Sequence, residues 1–241
     1  MVDARGLAGD RRFMLVDANG LFLSQRTHPR MAMLGVGVVP GELRVTAPDM
    51  PELTVPARLT DGPSLQVRVW DDVVSAIAAP ATMSEWFGRF LGVRCSLVFM
   101  PDSAERRVKA SHGGAAVSFA DAFPFLLVSR ASLAELNTRL AVPLSMDRFR
   151  PNLVVGGCPA YAEDSWRSLS IGPVRFRVAK PCARCSITTV DQATGERGAE
   201  PLATLATYRR EGGKVLFGQN LVHETLGLLR VGNVVDVEPP D

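Results

Sequence analysis

Between residues 31 and 77, proline and glycine interrupt the chain every few residues, and that punctuation is the strongest constraint on its fold. Pro40-Gly41, Pro48, Pro51, Pro56 and Gly62-Pro63 separate apolar runs at Met31 to Val39, Leu43 to Thr46, Leu53 to Val55, Leu65 to Trp70 and Val73 to Ile77. Runs of this length bounded by turn residues read as strands, and many of them at this spacing predict a β-barrel or sandwich. Upstream, Phe13 to Val16 and Leu21 to Leu23 flank Asp17-Ala18-Asn19-Gly20, whose Asn-Gly pair predicts a hairpin. That hairpin would bring Arg11, Arg12 and Arg26 toward one end, either as a cation cluster or as ordinary solvated loop charges.

The pattern changes after Pro80. Ser84 is placed as an N-cap, and Trp86, Phe87, Phe90 and Leu91 recur at helical spacing. Arg94 to Phe99 is strand-like again. Residues 101–116 are polar, with Arg106, Arg107, Lys109 and Ser111-His112-Gly113-Gly114, and are expected to cross between two lobes, 1–100 and 101–241. In the second lobe Phe125 to Val128 reads as a buried strand. Ser132 to Glu135 forms a capping box that would start a helix with Leu133, Leu136 and Leu140 inward. Leu153 to Val155 is a strand ending at Gly156-Gly157-Cys158, and Val174 to Val178 alternates as a half-exposed strand. Pro201 opens a helix to about Tyr208. Gly218 to His223 and Val231 to Val237 supply closing strands.

Composition excludes several classes. A net charge of +2 is too small to argue for nucleic acid or a membrane surface as partner. No apolar run approaches the roughly 18 residues of a membrane helix, and the first residues lack the apolar core of a secretory signal. Cys95, Cys158, Cys182 and Cys185 do not make a disulfide framework in 241 residues, so a reducing cytoplasm is the expected location.

The chemistry concentrates at residues 180–195. Cys182 and Cys185 sit three apart, flanked by Lys180 and Arg184; a β-branched run, Ile187 to Val190, comes next, and Asp191 to Gly195 reads as a turn. A thiol between cations is pushed toward thiolate, the form that binds metals or attacks electrophiles. Structural zinc would need four ligands, and Cys95 and Cys158 are isolated while His28, His112 and His223 form no pair at ligand spacing. A thioredoxin-type pair opens a helix, whereas the run after Cys185 reads as a strand. A Cys-His hydrolase needs a base that nothing here picks out. A single functional thiolate suits a soft or high-valent metal, with the other cysteine either packing or supporting the ligand.

The segments "DRRFMLVDANGLFLSQRTHPRM", "FADAFPFLLVSRASLAELNTRL", "FRPNLVV", "GCPAYAEDSW" and "PCARCSITTVDQATGERGAEPLATL", then "FGQN", resemble the MOSC proteins with an N-terminal MOSC β-barrel domain. That group includes the mitochondrial amidoxime reducing component and its bacterial homologues. The resemblance implies a mainly β (α+β) fold of two β-barrel lobes with a few short helices. It also implies a pyranopterin molybdenum cofactor (molybdopterin) between them. Cys185 matches the residue that donates its thiolate to molybdenum; Cys158 matches no ligand, and Cys182 would lie close without ligating. Arg150 matches a position near the cofactor phosphate, where a planar fork suits a dianion. Asn152 is an amide partner, Arg184 adjoins the ligand, and Asp10, Arg11, Arg12 and Arg26 belong to cofactor-facing elements of the first lobe. Asp121 would accept from pterin amines, and Gln219 and Asn220 recur near the end. For these last three a turn-capping role is the alternative.

By the same resemblance the expected activity is reduction of small N-hydroxylated compounds or N-oxides. Reduced molybdenum takes the substrate oxygen, which two electrons and protons release as water. A separate ferredoxin or flavin reductase type protein would donate the electrons to a monomer, because the chain ends at Asp241 without iron–sulfur spacing. Family members usually begin with a further strand and a Tyr-Pro-x-Lys-Ser loop, so a longer reading frame is expected upstream of Met1. The alternative is a cofactor-binding or sulfur-carrying module with a persulfide on Cys185 and no reductase turnover.

Overall fold

The computed structural model describes residues 1–239. The described chain is mainly β, with three short α-helices. Two compact units form, and neither is contiguous. One comprises Met1–Asp10, Arg107–Thr189 and the chain from Gly198 onward; the other comprises Arg11–Arg106 and Val190–Arg197. A single break near residue 100 therefore does not describe the packing. In the first unit the short strands β1 (Val2–Asp3) and β2 (Gly6–Leu7) pair antiparallel. The Val2 amide donates to the Gly227 carbonyl at 2.7 Å, and its side chain is buried with Phe125, Leu127 and Phe176. Burying that one apolar residue commits the first ten to a sheet far away in sequence.

The unit of residues 11–106 contains β3 (Phe13–Val16), β4 (Gly35–Val39), β5 (Glu42–Thr46), β6 (Leu53–Pro56), β7 (Ser64–Val69), β8 (Asp72–Ala78), α1 (Ala81–Leu91) and β9 (Ser96–Phe99). They form two antiparallel sheets, in the orders β3-β9-β8-β7 and β4-β5-β6. The Asn-Gly hairpin is present: the Asp17 amide donates to Leu21 at 2.9 Å, and Leu23 donates to Leu15 at 2.8 Å. The strand predicted from Met31 begins only at Gly35. Residues Pro29–Met33 form a 3-10 helix instead, with Pro29 pre-setting φ in its first turn. Ser84 does not cap the helix, which opens directly after Pro80. Its hydroxyl accepts the Leu97 amide at 3.0 Å and so ties α1 to β9. The apolar stripe of α1 is buried as its spacing requires, and Trp86 donates its indole N–H to the Pro51 carbonyl at 2.7 Å.

The other unit adds β10 (Phe125–Ser129), α2 (Arg130–Thr138), β11 (Leu153–Val155), β12 (Ser168–Ile171), β13 (Val174–Ala183), α3 (Leu202–Tyr208), β14 (Arg210–Glu211), β15 (Lys214–His223) and β16 (Val235–Val237). The sheet runs β11-β10-β15-β13-β12-β16, with β14 paired to β15. Only β10 and β11 pair parallel, and α2 lies in the crossover that a parallel pair requires. Phe125, Leu127, Leu169, Phe176 and Leu221 form one core cluster; Val128, Leu136, Phe149, Leu205 and Phe217 form another. The cap of α2 is Ser129, three residues before the predicted capping box. Its hydroxyl accepts from Ala131 and Ser132 at 3.1 and 3.4 Å. The Ser132 hydroxyl instead donates to buried Glu163 at 2.7 Å and accepts the Tyr161 amide at 2.8 Å. Replacing Ser129 with Ala is expected to cost about 1–2 kcal/mol of unfolding free energy in urea. An unchanged midpoint would place the cap elsewhere.

Glu135, on α2, accepts a hydrogen bond from the Tyr161 hydroxyl, and the Tyr208 hydroxyl lies 2.8 Å from Tyr161 Oη and 3.3 Å from the same carboxylate. Burial and the bond to Glu135 push the Tyr161 phenol far above its ordinary value; burial raises Tyr208 as well. The native state keeps the Tyr161 proton where an unfolded phenol, with a pKa of about 10, releases it. The linked stability is therefore complete below about pH 10 and declines as pH rises past it. Chemical denaturation between about pH 9 and 12 should show a shallower decline for Tyr161→Phe than for the parent. Equal slopes would assign the decline to other groups.

Candidate functional site

The thiol stretch is shaped by the pairing of β13 with β15. Their antiparallel register runs from Phe176↔His223 to Ala183↔Leu216 and breaks twice. Between Val178↔Leu221 and Lys180↔Asn220 the extra residue is Ala179, on β13. Between Pro181↔Gln219 and Ala183↔Leu216 the extra residue is on β15, and Cys182 lies opposite that break. Bulges of this kind bend a strand and re-aim side chains. Gly218 sits in the second break at φ +77°, and a Cβ there would meet the Leu127 carbonyl oxygen at 2.7 Å.

Past β13, the Arg184 amide donates to the Val215 carbonyl at 2.8 Å, and the chain then turns into a 3-10 helix, Ser186–Thr189, where the β-branched run predicts a strand. The threonine hydroxyls decide otherwise: the amide and Oγ1 of Thr188 both donate to the Cys185 carbonyl, at 3.2 and 3.0 Å, and Thr189 Oγ1 donates to Ser186 at 2.9 Å. The ground for setting aside a thioredoxin-type motif thus changes. Cys185 leads into one 3-10 turn, which is still not the α-helix such a motif opens.

A second 3-10 helix, Met146–Phe149, ends at Arg150, whose backbone is left-handed at φ 53°. Phe149 is fully buried, with its ring centroid 4.5 Å from that of Phe217. Two arginines tie the turns together. Arg184 Nη2 donates to the Phe149 carbonyl at 2.8 Å, and Arg148 Nη1 donates to the Thr188 carbonyl at 3.4 Å. The other terminal nitrogen of Arg184 lies 3.1 Å from Cys182 Sγ, and its guanidinium carbon is 5.5 Å from the Phe149 ring centroid. Arg184 Nε is buried without an acceptor among the described residues. The guanidinium next in sequence to Cys185 is therefore directed at the other thiol. Cys182, expected from the sequence either to pack as a small hydrophobe or to stand close to the site without ligating, serves as acceptor for a cation.

The remaining predicted residues divide. Arg150 and Asp121 are exposed. Asn152 is built into the sheet: Oδ1 accepts the Leu126 amide and Nδ2 donates to Asp10 Oδ2, both at 3.0 Å. Gln219 is buried, with Nε2 donating to Asp164 at 2.8 Å while its Oε1 has no partner among the described residues. Asp164 in turn pairs with Arg209 at 2.6 Å. Asn220 donates to the Pro181 carbonyl at 3.4 Å, between the two register breaks. In the other unit, Arg12 donates through Nε to the Met100 carbonyl at 3.1 Å and pairs with Asp102 at 2.7 Å. Arg12 and Arg58 hold the Asp102 carboxyl below its usual range. Arg26 lies over the Trp70 ring at 4.7 Å, and its carbonyl accepts from Arg197; Arg11 has a left-handed backbone, φ 50°. Arg12 and Arg26 thus take separate partners.

All four cysteines are free. Burial pushes the Cys95 thiol up, which makes it a poor nucleophile. Cys158 packs against the core with Sγ 3.5 Å from Ser129 Oγ. His223 is pushed down by burial. Sequence patterns assign no role to Arg148 or to the Phe149 carbonyl. Thr188 has a local signal, a hydroxyl three residues past Cys185, but the Phe149 carbonyl has none.

Comparison with known proteins bears on the whole chain. Residues 114–236 match the MOSC domain, and residues 1–94 match the MOSC N-terminal beta barrel domain. Mitochondrial amidoxime-reducing component 1 of Mus musculus is 34% identical over 94% of this chain and 71% of its own length. Mitochondrial amidoxime reducing component 2 of Rattus norvegicus is 32% identical over 95% and 73%. The molybdenum cofactor sulfurase of Homo sapiens is 31% identical over 94% of this chain, which spans 28% of that protein. With both domains matched in order and identity above 30% along nearly its full length, the chain belongs to the MOSC family, carrying an MOSC N-terminal β-barrel domain ahead of its MOSC domain.

Proposed function

We propose that this chain holds a pyranopterin molybdenum cofactor through Cys185 and acts as an oxidoreductase that reduces N-hydroxylated compounds or N-oxides. The observation that carries the reading is the cross-tie between the turn bearing Cys185 and the turn ending at Arg150. A ligating thiolate needs a rigid backbone, and here the Cys185 carbonyl is held twice by Thr188. The donor set also fits. Among the described residues no group of three or more His, Cys, Asp or Glu side chains is arranged to hold a metal ion. A metal at Cys185 must therefore bring further ligands with it, as one carried in an organic cofactor does, and a soft thiolate favours that class of metal.

In this reading Arg150, exposed at its turn, pairs bidentately with the cofactor's phosphate, and Asp121 and Asn220 accept or donate at the pterin edge. When bound, the cofactor supplies the two-electron oxygen-atom chemistry. Cys185 stays a permanent ligand that tunes the metal and does not attack substrate. Electrons come from a separate donor protein. No helix among the described residues is long and apolar enough to cross a membrane.

The relation to the molybdenum cofactor sulfurase favours a second reading, a cofactor or sulfur carrier with a persulfide on Cys185. The test is expression in a host that makes the cofactor, then molybdenum and pterin analysis, intact mass, and reduction of an amidoxime by a viologen donor. Cys185→Ala and Cys185→Ser are expected to abolish turnover, while Cys182→Ala keeps most of it. Equal loss at both positions would contradict the assignment. Bound cofactor without turnover, together with a labile extra sulfur on Cys185, would select the carrier.

A further inference from the structure

We infer that Arg184 is a positioning residue, with Cys182 as its second anchor, and that together they lock the turn bearing Cys185 to the turn ending at Arg150. The functional weight of this rests on the roles proposed for Cys185 and Arg150; the mechanical claim stands by itself. Arg184 is next to Cys185 in sequence, yet none of its assigned bonds goes there. One end of its fork holds the Phe149 carbonyl at 2.8 Å and the other reaches Cys182 Sγ at 3.1 Å. Its own backbone is pinned to Val215.

Each anchor is itself built into the fold. Phe149 is fully buried, with its ring against Phe217. Cys182 lies opposite the register break that holds Gly218. A planar guanidinium spans two acceptors at a fixed separation, whereas an ammonium on a flexible stem is a point charge. Charge-assisted bonds of this kind are the stronger ones, and losing one leaves a buried carbonyl unpaired. The second cysteine of the pair thus has a task distinct from ligation: it holds the arginine that sets the geometry of the first.

The decisive experiment is hydrogen exchange on cofactor-free protein, resolved to peptides covering 146–150 and 185–189, alongside alkylation of Cys185 read by peptide mapping. Arg184→Lys keeps the charge and is expected to speed exchange of both peptides together, and Cys185 alkylation with them, by about tenfold. Cys182→Ala should give a smaller rise in the same peptides. Cys182→Ser, which retains an acceptor, should bring it back toward the parent. The double variant Arg184→Lys with Cys182→Ala should be no worse than Arg184→Lys alone, because the two residues act through one contact. A change confined to one peptide, additive singles, or no rescue by serine would overturn the inference. Cofactor-loaded protein separates the two claims. Coupled exchange in a parent that takes up no molybdenum sinks the proposed function and leaves the positioning role. Full loading with uncoupled exchange does the reverse.

Discussion

The pairing of β13 with β15 is the constraint on which the MOSC unit depends. Two ten-residue strands form the spine of its sheet, with β10 on one side and β12 on the other. An uninterrupted ladder would carry side chains in strict alternation past the cysteines. The two register breaks end that alternation, one on each strand, and the second falls opposite Cys182. Gly218 makes the second break possible, since any larger residue would collide with the β10 backbone. The placement of the thiols thus depends on a glycine in the partner strand.

Charged side chains near the site are mostly at work inside the fold. Arg184 and Arg148 cross-tie two turns through backbone carbonyls, and Arg209 holds Asp164, which in turn receives Gln219. In the other unit Arg12 is bound to Met100 and Asp102. A near-neutral net charge therefore conceals many arginines that build the scaffold. Rigid support of this kind is what a metal-binding thiolate demands, because small errors in ligand placement weaken the site.

Local sequence signals hold where the signal and the interaction lie within a few residues. The Asn-Gly hairpin, the buried stripe of α1 and the turn closed by Asp191 all have that character. They fail where a side chain is recruited across the fold. Ser84 and Ser132 have the sequence setting of helix caps, but one is spent on β9 and the other on Glu163. The β-branched run after Cys185 reads as a strand, yet its threonine hydroxyls close a 3-10 turn onto carbonyls three residues back.

From the sequence alone came the mainly β class, the family and the thiol pair. Those depend on spacing, turn chemistry and motif, all carried by neighbours along the chain. The tertiary structure alone decided that residues 1–10 pack with the MOSC unit, that Asn152 is consumed by Leu126 and Asp10, and that Arg184 turns from Cys185 to Cys182 and Phe149. A side chain's partner is whichever buried carbonyl, carboxylate or sulfur packing brings within about 3 Å. Distances of that size between residues far apart in sequence have no local trace.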